Sequence, residues 1–487
     1  MSLTTALQSA QSSLAATSKQ TAIVSRNITG AGDTNYTRRL GLLSTTDGGG
    51  TTVTVRRQAD ATLMAHFLTA SSTSAAAGEL QDGLDQLSGI YSADDYSASP
   101  GSLIGKLRDA LQLYATQPGD AATGDAAVNS AITLANGLNS GSQQIQALRS
   151  QADGQITSSV SGLNTLLSDF QEVNSQIVNG TRAGSDVSDL MDQRDSLLKQ
   201  MSSIIGITTM NRADNDMVIL TEGGTTLFDK AARSVSFQPT GAFDATTAGN
   251  AVYVDGVPLT HSSFGDSYGN GQLSGLLQLR DVYAPEYQSQ LDEIARGVVS
   301  TFRESDQTGA GQPDVPGLFT WSGAPAIPAD GTLSPGIAGM IAVNPAFIRS
   351  NGGSAALLRD GGAGGADYVA NSTGAASFTD RLQSLIDGLS SQRNFDPAAG
   401  LQSPSGLIDY ASASVNWLEG VRQQATSDRT YQSTLASRAQ DALSNATGVN
   451  IDQEMSTMLD LEHSYQASAR ILTAVNDMLT QLMDAVR

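Results

Sequence analysis

Ile156-Thr157-Ser158-Ser159-Val160-Ser161-Gly162-Leu163-Asn164-Thr165-Leu166-Leu167-Ser168-Asp169-Phe170-Gln171-Glu172-Val173-Asn174-Ser175-Gln176-Ile177 carries an apolar stripe at spacings of three and four: Ile156, Val160, Leu163, Leu167, Phe170, Val173 and Ile177. That period gathers these side chains on one face of a helix. The helical pattern reaches back to Ala121 and on to Thr181, where Gly180 is a stop signal. A second helix is expected from about Asp186 to Ile205, its face of Leu190, Leu197, Leu198 and Met201 packing on the first. Within it, Asp192, Gln193, Arg194 and Asp195 form a polar quartet. Arg194 reads either as a solvated surface charge or as a buried or half-buried bidentate partner of a carboxylate on another rod helix, the second favoured because a polar quartet inside an otherwise apolar helix suggests a structural clasp.

Outward from this rod segment the period changes. Met217 to Leu220, Thr226 to Phe228, Val235 to Phe237 and Val252 to Val254 read as short strands, with Glu222-Gly223-Gly224 and Asp255-Gly256 as turns. Helical pattern returns from Gly275 to about Glu304. Residues 305–373 are rich in Gly and Pro, with one strand expected at Met340 to Val343 and an exposed loop at Gly361 to Gly365. Helices resume near Phe378 and run, broken between Asn394 and Pro404, through Asn445. The fold class is α+β, mainly α. A helical rod is assembled from 41–205, 273–304 and 374–450, with a β-rich domain at 206–272. The insertion at 305–373 is either its own unit or part of that β-rich domain.

Both chain ends carry heptad seams, expected as terminal coiled-coil segments at 1–40 and 451–487. Leu3, Leu7, Ala10, Leu14, Thr17, Thr21, Val24 and Ile28 alternate at four and three. Ile451, Met455, Met458, Glu462, Tyr465, Ala469, Leu472, Asn476, Leu479, Met483 and Val486 do the same. Such narrow stripes suit helices that pair with each other and with copies of themselves. The Thr, Glu and Asn positions weaken either seam in isolation.

Composition narrows the function. The chain has 487 residues, 27 basic and 48 acidic side chains and a net charge of −21. No basic cluster exists, which argues against nucleic acid, because phosphate binding rests on Lys and Arg. No apolar run approaches the ~18 to 20 residues that span a bilayer, so no membrane insertion is expected. There are no cysteines, hence no disulfides, thiolate nucleophiles or thiolate metal sites. With 39% hydrophobic and 15% charged residues, the chain reads as an elongated structural protein. Its uncharged first segment lacks an apolar h-region, so it fits either a cytoplasmic protein or a non-cleaved export signal.

The usual signatures of chemistry are missing. His66, His261 and His463 have no partner at metal-ligand spacing. Gly271-Gln272-Leu273-Ser274-Gly275 has the wrong spacing for a nucleophile elbow, and Gly269-Asn270-Gly271 lacks the third Gly of a dinucleotide loop. Asp214 and Asp216 are without the remaining ligands of a calcium loop. No catalytic, cofactor or metal residue is expected, and the chain is not expected to be an enzyme.

Four motifs carry a family resemblance. Asn27, Ile28, Tyr36 and Arg38, within Ser25 to Arg39, resemble the Asn-Ile-Ala-Asn…Thr-Pro-Gly-Tyr-Ser-Arg signature of the axial proteins of the bacterial flagellum. Thr34-Asn35 replaces Pro-Gly there, and Asn tolerates the left-handed conformation that Gly would supply. Gly448 to Met455 and Tyr465 to Arg470 resemble the C-terminal signature of the same proteins. Asp189 to Leu198, with Asp192, Gln193, Arg194 and Asp195, and Gly271 to Asp281 are similar to segments of the hook-associated branch.

The resemblance implies a non-enzymatic adaptor at the hook–filament junction, in the extracellular flagellum. It implies export through the flagellar type III apparatus without a cleaved signal, and terminal helices that line an inner tube and fold on assembly. The implied partners are copies of itself in a junction ring, flagellar hook protein, hook-associated protein 3, and an export chaperone before secretion. A hook or rod subunit, or a secreted adhesin or enzyme on an axial scaffold, are the alternatives.

Overall fold

The computed structural model describes residues 3–45, 50–91, 96–259 and 269–485. His261, Val486 and Arg487 lie outside the described residues, as does the side chain of Leu3. The architecture is α+β and mainly α.

Helix α1 (Leu3–Gly30) leads into a hairpin of β1 (Arg39–Thr45) and β2 (Thr51–Arg57), paired antiparallel from Arg39 opposite Arg57 to Thr45 opposite Thr51. The expected 1–40 and 41–205 segments both overlooked this hairpin. Alternation through Thr51-Thr52-Val53-Thr54-Val55, after the turn signal Asp47-Gly48, was the available sign. Helix α2 (Ala61–Ser88) follows, capped by the Asp60 carboxylate on the Thr62 and Leu63 amides. Then come α3 (Pro100–Thr116), with Ser99 as its cap, and α4 (Ala121–Arg182). The 62 residues of α4 make a strut of about 93 Å at ~1.5 Å per residue. Helix α5 (Ser188–Ile204) folds back on α4, burying Leu197, Leu198 and Met201.

A four-stranded antiparallel sheet comprises β3 (Ile207–Asn211), β4 (Met217–Thr221), β5 (Thr226–Asp229) and β6 (Ala231–Ala232). A smaller sheet joins β7 (Val235–Ser236), β8 (Tyr253–Val254) and β9 (Val257–Pro258). Both lean on α4, where Phe170 meets Phe228 edge to face at 4.9 Å. The helix expected from Gly275 is two, α6 (Gln272–Gln278) and α7 (Ala284–Thr301), joined through a π-helical turn at Leu279–Tyr283. Gly275 lets α6 approach α2 closely, since a Cβ there would stand 2.6 Å from the Ala76 carbonyl.

The insertion holds β10 (Phe319–Thr320), α8 (Ile337–Met340), β11 (Ala342–Val343) and α9 (Ala356–Asp360). The strand expected at Met340 to Val343 is therefore only its second half. Met340 closes a helical turn that Asp292 caps through the Gly336 and Ala338 amides at 2.8 and 2.9 Å. The Gly361 to Gly365 loop is exposed only at its far end, Gly364 and Gly365: Gly361 is buried, and the Gly364 amide donates to Glu304 at 2.8 Å. The rod closes with α10 (Asp380–Ser390) and α11 (Leu407–Thr447), which runs antiparallel to α2 through Arg429–Asp82 and Arg422–Asp85. Last is α12 (Ile451–Ala485), whose partner is α1.

Two cores result. In the rod, the stripe from Ile156 to Ile177 is buried as a continuous row. Helix α7 also buries Gln288, Gln290, Asp292, Glu293 and Arg296, which meet partners such as Ser142, Ser414 and Asn394, while the Gln290 side-chain nitrogen is left without one. The terminal pair is thinner, with α1 held between α12 and the hairpin, where Gly41 closes on Gln20 and Ile23.

Candidate functional site

The terminal pair meets the rod at one polar joint. Helix α1 delivers Asn27 to its end, and the next turn is tied by Asp33, whose carboxylate accepts the Asn35 amide at 2.8 Å. Asn35 does not adopt the left-handed conformation expected of it, because the Asp33 side chain makes the turn instead. Gly30 is fixed by packing: the Tyr36 ring lies where a Cβ would stand, 2.6 Å from its nearest atom.

Asn27 is buried and uses its whole amide. Its nitrogen donates to the Arg39 carbonyl and to Glu454, both at 2.9 Å. Its oxygen accepts the Tyr36 hydroxyl and the Arg39 amide, both at 3.0 Å. Glu454, in the first turn of α12, is 1% exposed, and its second oxygen receives Arg38 Nε at 2.7 Å. The Arg38 amide donates to the Thr447 carbonyl at 2.8 Å, which anchors the same strand to the end of α11. A carboxylate taken out of water in this way is tolerable because a guanidinium and an amide both bond to it.

Facing this knot, α5 presents its acids. Arg39 pairs with Asp189, and with Asp192 at 3.0 Å; its guanidinium lies over the Tyr36 ring at 4.6 Å. Arg57, across the hairpin from Arg39, reaches Asp192 at 2.8 Å and Asp195 at 2.5 Å. Burial pushes the Asp192 carboxyl up, against the pull of Arg57 and Arg39. Burial also raises the Tyr36 phenol.

Arg194 departs from expectation in its partners. It is buried, and burial lowers its pKa. Its Nη1 meets the Asn174 side chain at 3.1 Å and the Asn215 carbonyl at 2.6 Å, not a carboxylate. The carboxylates of the quartet serve the hairpin instead. Gln193 is exposed.

The seam residues divide. On α1, Ala10 and Val24 are buried and Leu7, Leu14 and Ile28 are half-buried. On α12, Met458, Ala469, Leu472 and Leu479 are half-buried, but Ile451, Met455, Tyr465 and Met483 are exposed. The inward row contains Glu454, Leu461, Ser468 and Val475, so the helix is turned about one position from the expected seam. Asn27 to Glu454 and Ser13 to Ser468 (3.4 Å) fix an antiparallel register that selects this face. Spread around the rest of the helix, Ile451, Met455, Leu459, Tyr465, Ile471, Met478 and Met483 are 48% to 69% exposed.

The joint thus joins three of the motifs quoted from the sequence, which are separated by up to 427 residues between Asn27 and Glu454. Reasoning on the sequence overlooked Arg39, Arg57, Asp189 and Glu454 as members. Arg39, Asp189 and Glu454 lay inside the motifs named above, whereas nothing local distinguished Arg57. Among the described residues no group of His, Asp and Glu is placed to hold a metal ion, and no helix is long and apolar enough to cross a membrane.

Residues 84–318 match the family described as flagellar hook-associated protein FlgK helical domain. Residues 439–485 match the C-terminal domain of the flagellar basal body rod FlgEFG proteins. The chain is 23% identical over 428 residues to flagellar hook-associated protein 1 of Bacillus subtilis, covering 83% of this chain and 79% of that one. It is 24% identical to the protein of that name from Salmonella typhimurium, over 59% of this chain and 53% of the relative, so that match spans about half the relative's length. The solved flagellar hook junction protein FlgK from Burkholderia pseudomallei superposes with a TM-score of 0.57 at 13% identity, over 78% of this chain and 99% of that one. That likeness establishes the fold.

Proposed function

We propose that this chain, a relative of flagellar hook-associated protein 1 that carries the FlgK helical domain, is the structural adaptor joining hook to filament. The observation that carries the reading is the apolar surface that α1 leaves open on α12. Seven large apolar residues, spread over the flanks and back of a helix that has α1 as its one helical partner among the described residues, lie at least 48% exposed. A face of that kind is stabilised by copies of the same chain packed side by side in a ring, where each buried side chain contributes ~1.5 to 3 kcal/mol. The joint then holds the terminal pair at a set angle to the rod. Asn27, Arg38 and Glu454 lock α1 to α12, and Arg39 and Arg57 lock the hairpin to α5.

In this reading the protein is exported through the flagellar type III apparatus with a chaperone on its ends, and is not an enzyme. Flagellar hook protein meets one side of its ring and hook-associated protein 3 the other. A hook or rod subunit is the rival supported by the match at 439–485, but the longer match at 84–318 favours the junction. The test is electron microscopy of a strain lacking the protein. Intact hooks without filaments, and flagellin shed to the medium, are expected; normal filaments would end the proposal.

A further inference from the structure

Far along the chain from the joint, a cleft of about 810 Å³ opens between the end of α7, the helix α10 and the crossover leading to α11. Three guanidiniums line it, those of Arg303, Arg381 and Arg393. We propose that this cleft binds a multivalent anion of the polycarboxylate class.

The argument begins with Arg393. Its Nη1 donates to the Gly297 carbonyl at 2.7 Å and its Nη2 to the Gly388 carbonyl, which explains its place at two helix ends. Its Nε is buried without an acceptor, and among the described residues no carboxylate pairs with it. Burial, with Arg296 and Arg303 nearby, brings its pKa down to about 10; Asp330 opposes this. The group is still charged at neutral pH and lacks a counterion. Arg381 is nearly as poorly served: one nitrogen reaches Glu304 at 3.2 Å, and its Nε has no partner. Burial lowers its pKa too.

Shortage of acid is not the reason, since the chain has 48 acidic and 27 basic side chains. The acids on the wall are Asp330, which serves Arg296 at 3.2 Å, and Asp380, at the start of α10. Arg303 is half exposed and pairs with Asp314 at 2.8 Å. A half-buried guanidinium without an anion is costly, and with Nε enclosed by protein a carboxylate would meet the remaining N–H bonds of its η nitrogens. Ser300, Ser305 and Ser384 add hydroxyls to the same lining. The donors are thus side chains from separate elements, which favours several carboxylates over a single phosphate held in a nest of backbone amides.

Calorimetric titration of the full chain with citrate tests this, against sodium chloride of equal ionic strength and against pyrophosphate. Saturable binding of citrate is expected, at least tenfold weaker in Arg393→Gln and about threefold weaker in Arg381→Gln. On the wild-type chain, citrate should slow phenylglyoxal modification of the cleft arginines, mapped by mass spectrometry, which needs no variant to fold. Heat indistinguishable from the salt control, equal binding by Arg393→Gln, or absent protection would overturn the site. Tighter binding of pyrophosphate than of citrate would overturn the ligand class.

Discussion

Helices α4 and α12 are both long and both carry a single apolar row facing a partner, yet they stand in opposite situations. Helix α4 is surrounded by α3, α5, α7 and both sheets, and its row from Ile156 to Ile177 is buried throughout. Helix α12 has α1 along part of its surface and, over the rest, seven large apolar side chains open to water. Helical stability in proteins comes mainly from tertiary packing of such a face, so α4 is complete within one chain and α12 is not. In the proposed ring, the rod is a folded body in its own right, while the ends would reach full burial among copies.

The sharpest way to break this contrast is to remove 451–487. The truncated chain should melt cooperatively near the intact one, because the rod core is untouched, and should fail to restore filaments in a null strain. Normal motility, or loss of the cooperative melt, would erase the distinction. In the intact dilute monomer, amide exchange should leave the ends of α1 and α12 unprotected while Ile156 to Ile177 stays protected. Strong protection of both ends would show that they need no copies.

Point substitutions sharpen the same contrast. Phe170→Ala should cost about 3 to 5 kcal/mol in a chemical melt, since the side chain is fully buried against Phe228. Met478→Ala, on the open face, should cost less than ~0.5 kcal/mol in the monomer yet weaken assembly. Equal costs in the melt would mean that the two faces do not differ.

Next in size is a pH effect confined to the rod. Burial raises the Asp292 carboxyl to about 6, above an unfolded value near ~3.9. The native state therefore holds the proton more tightly, so this group's contribution to stability is fully present below about pH 4 and is lost as pH rises through 6. The change is at most about 3 kcal/mol, and Asp292→Asn should remove it from the pH profile of the melt. A profile unchanged by the substitution would contradict the assignment.

Smaller again, Arg194→Ala should cost about 2 kcal/mol, because it leaves the Asn174 side chain and the Asn215 carbonyl without their donor. A midpoint equal to wild type would place Arg194 outside the rod's stabilising contacts.

Much of the fold was legible in the residues. The bounds of α4, the α5 helix and the strands β4 and β5 followed from period and turn residues, because those patterns are local. The β1–β2 hairpin was obscured by its place between two long helical patterns. The α12 seam was misread for a different reason. Met458, Leu472 and Leu479 belong to either possible face, and each alternative row is broken by polar residues: Glu462 and Asn476 in one, Glu454 and Ser468 in the other. No local rule separates the two.

The sequence by itself determined the helical period, the mainly α class, the four motifs that resemble those of flagellar axial proteins and the polar character of the quartet on α5. These depend on spacing within a few turns of chain. Only the tertiary structure decided that Glu454 turns inward to Asn27 and Arg38, that Asp192 and Asp195 serve Arg39 and Arg57, and that Arg194 is left to Asn174. A buried charge is stable wherever some partner meets it, and here the partners lie more than a hundred residues away for every pair but Arg194 and Asn174. Composition supplies the charges, but the meeting of chain ends chooses which of them pair.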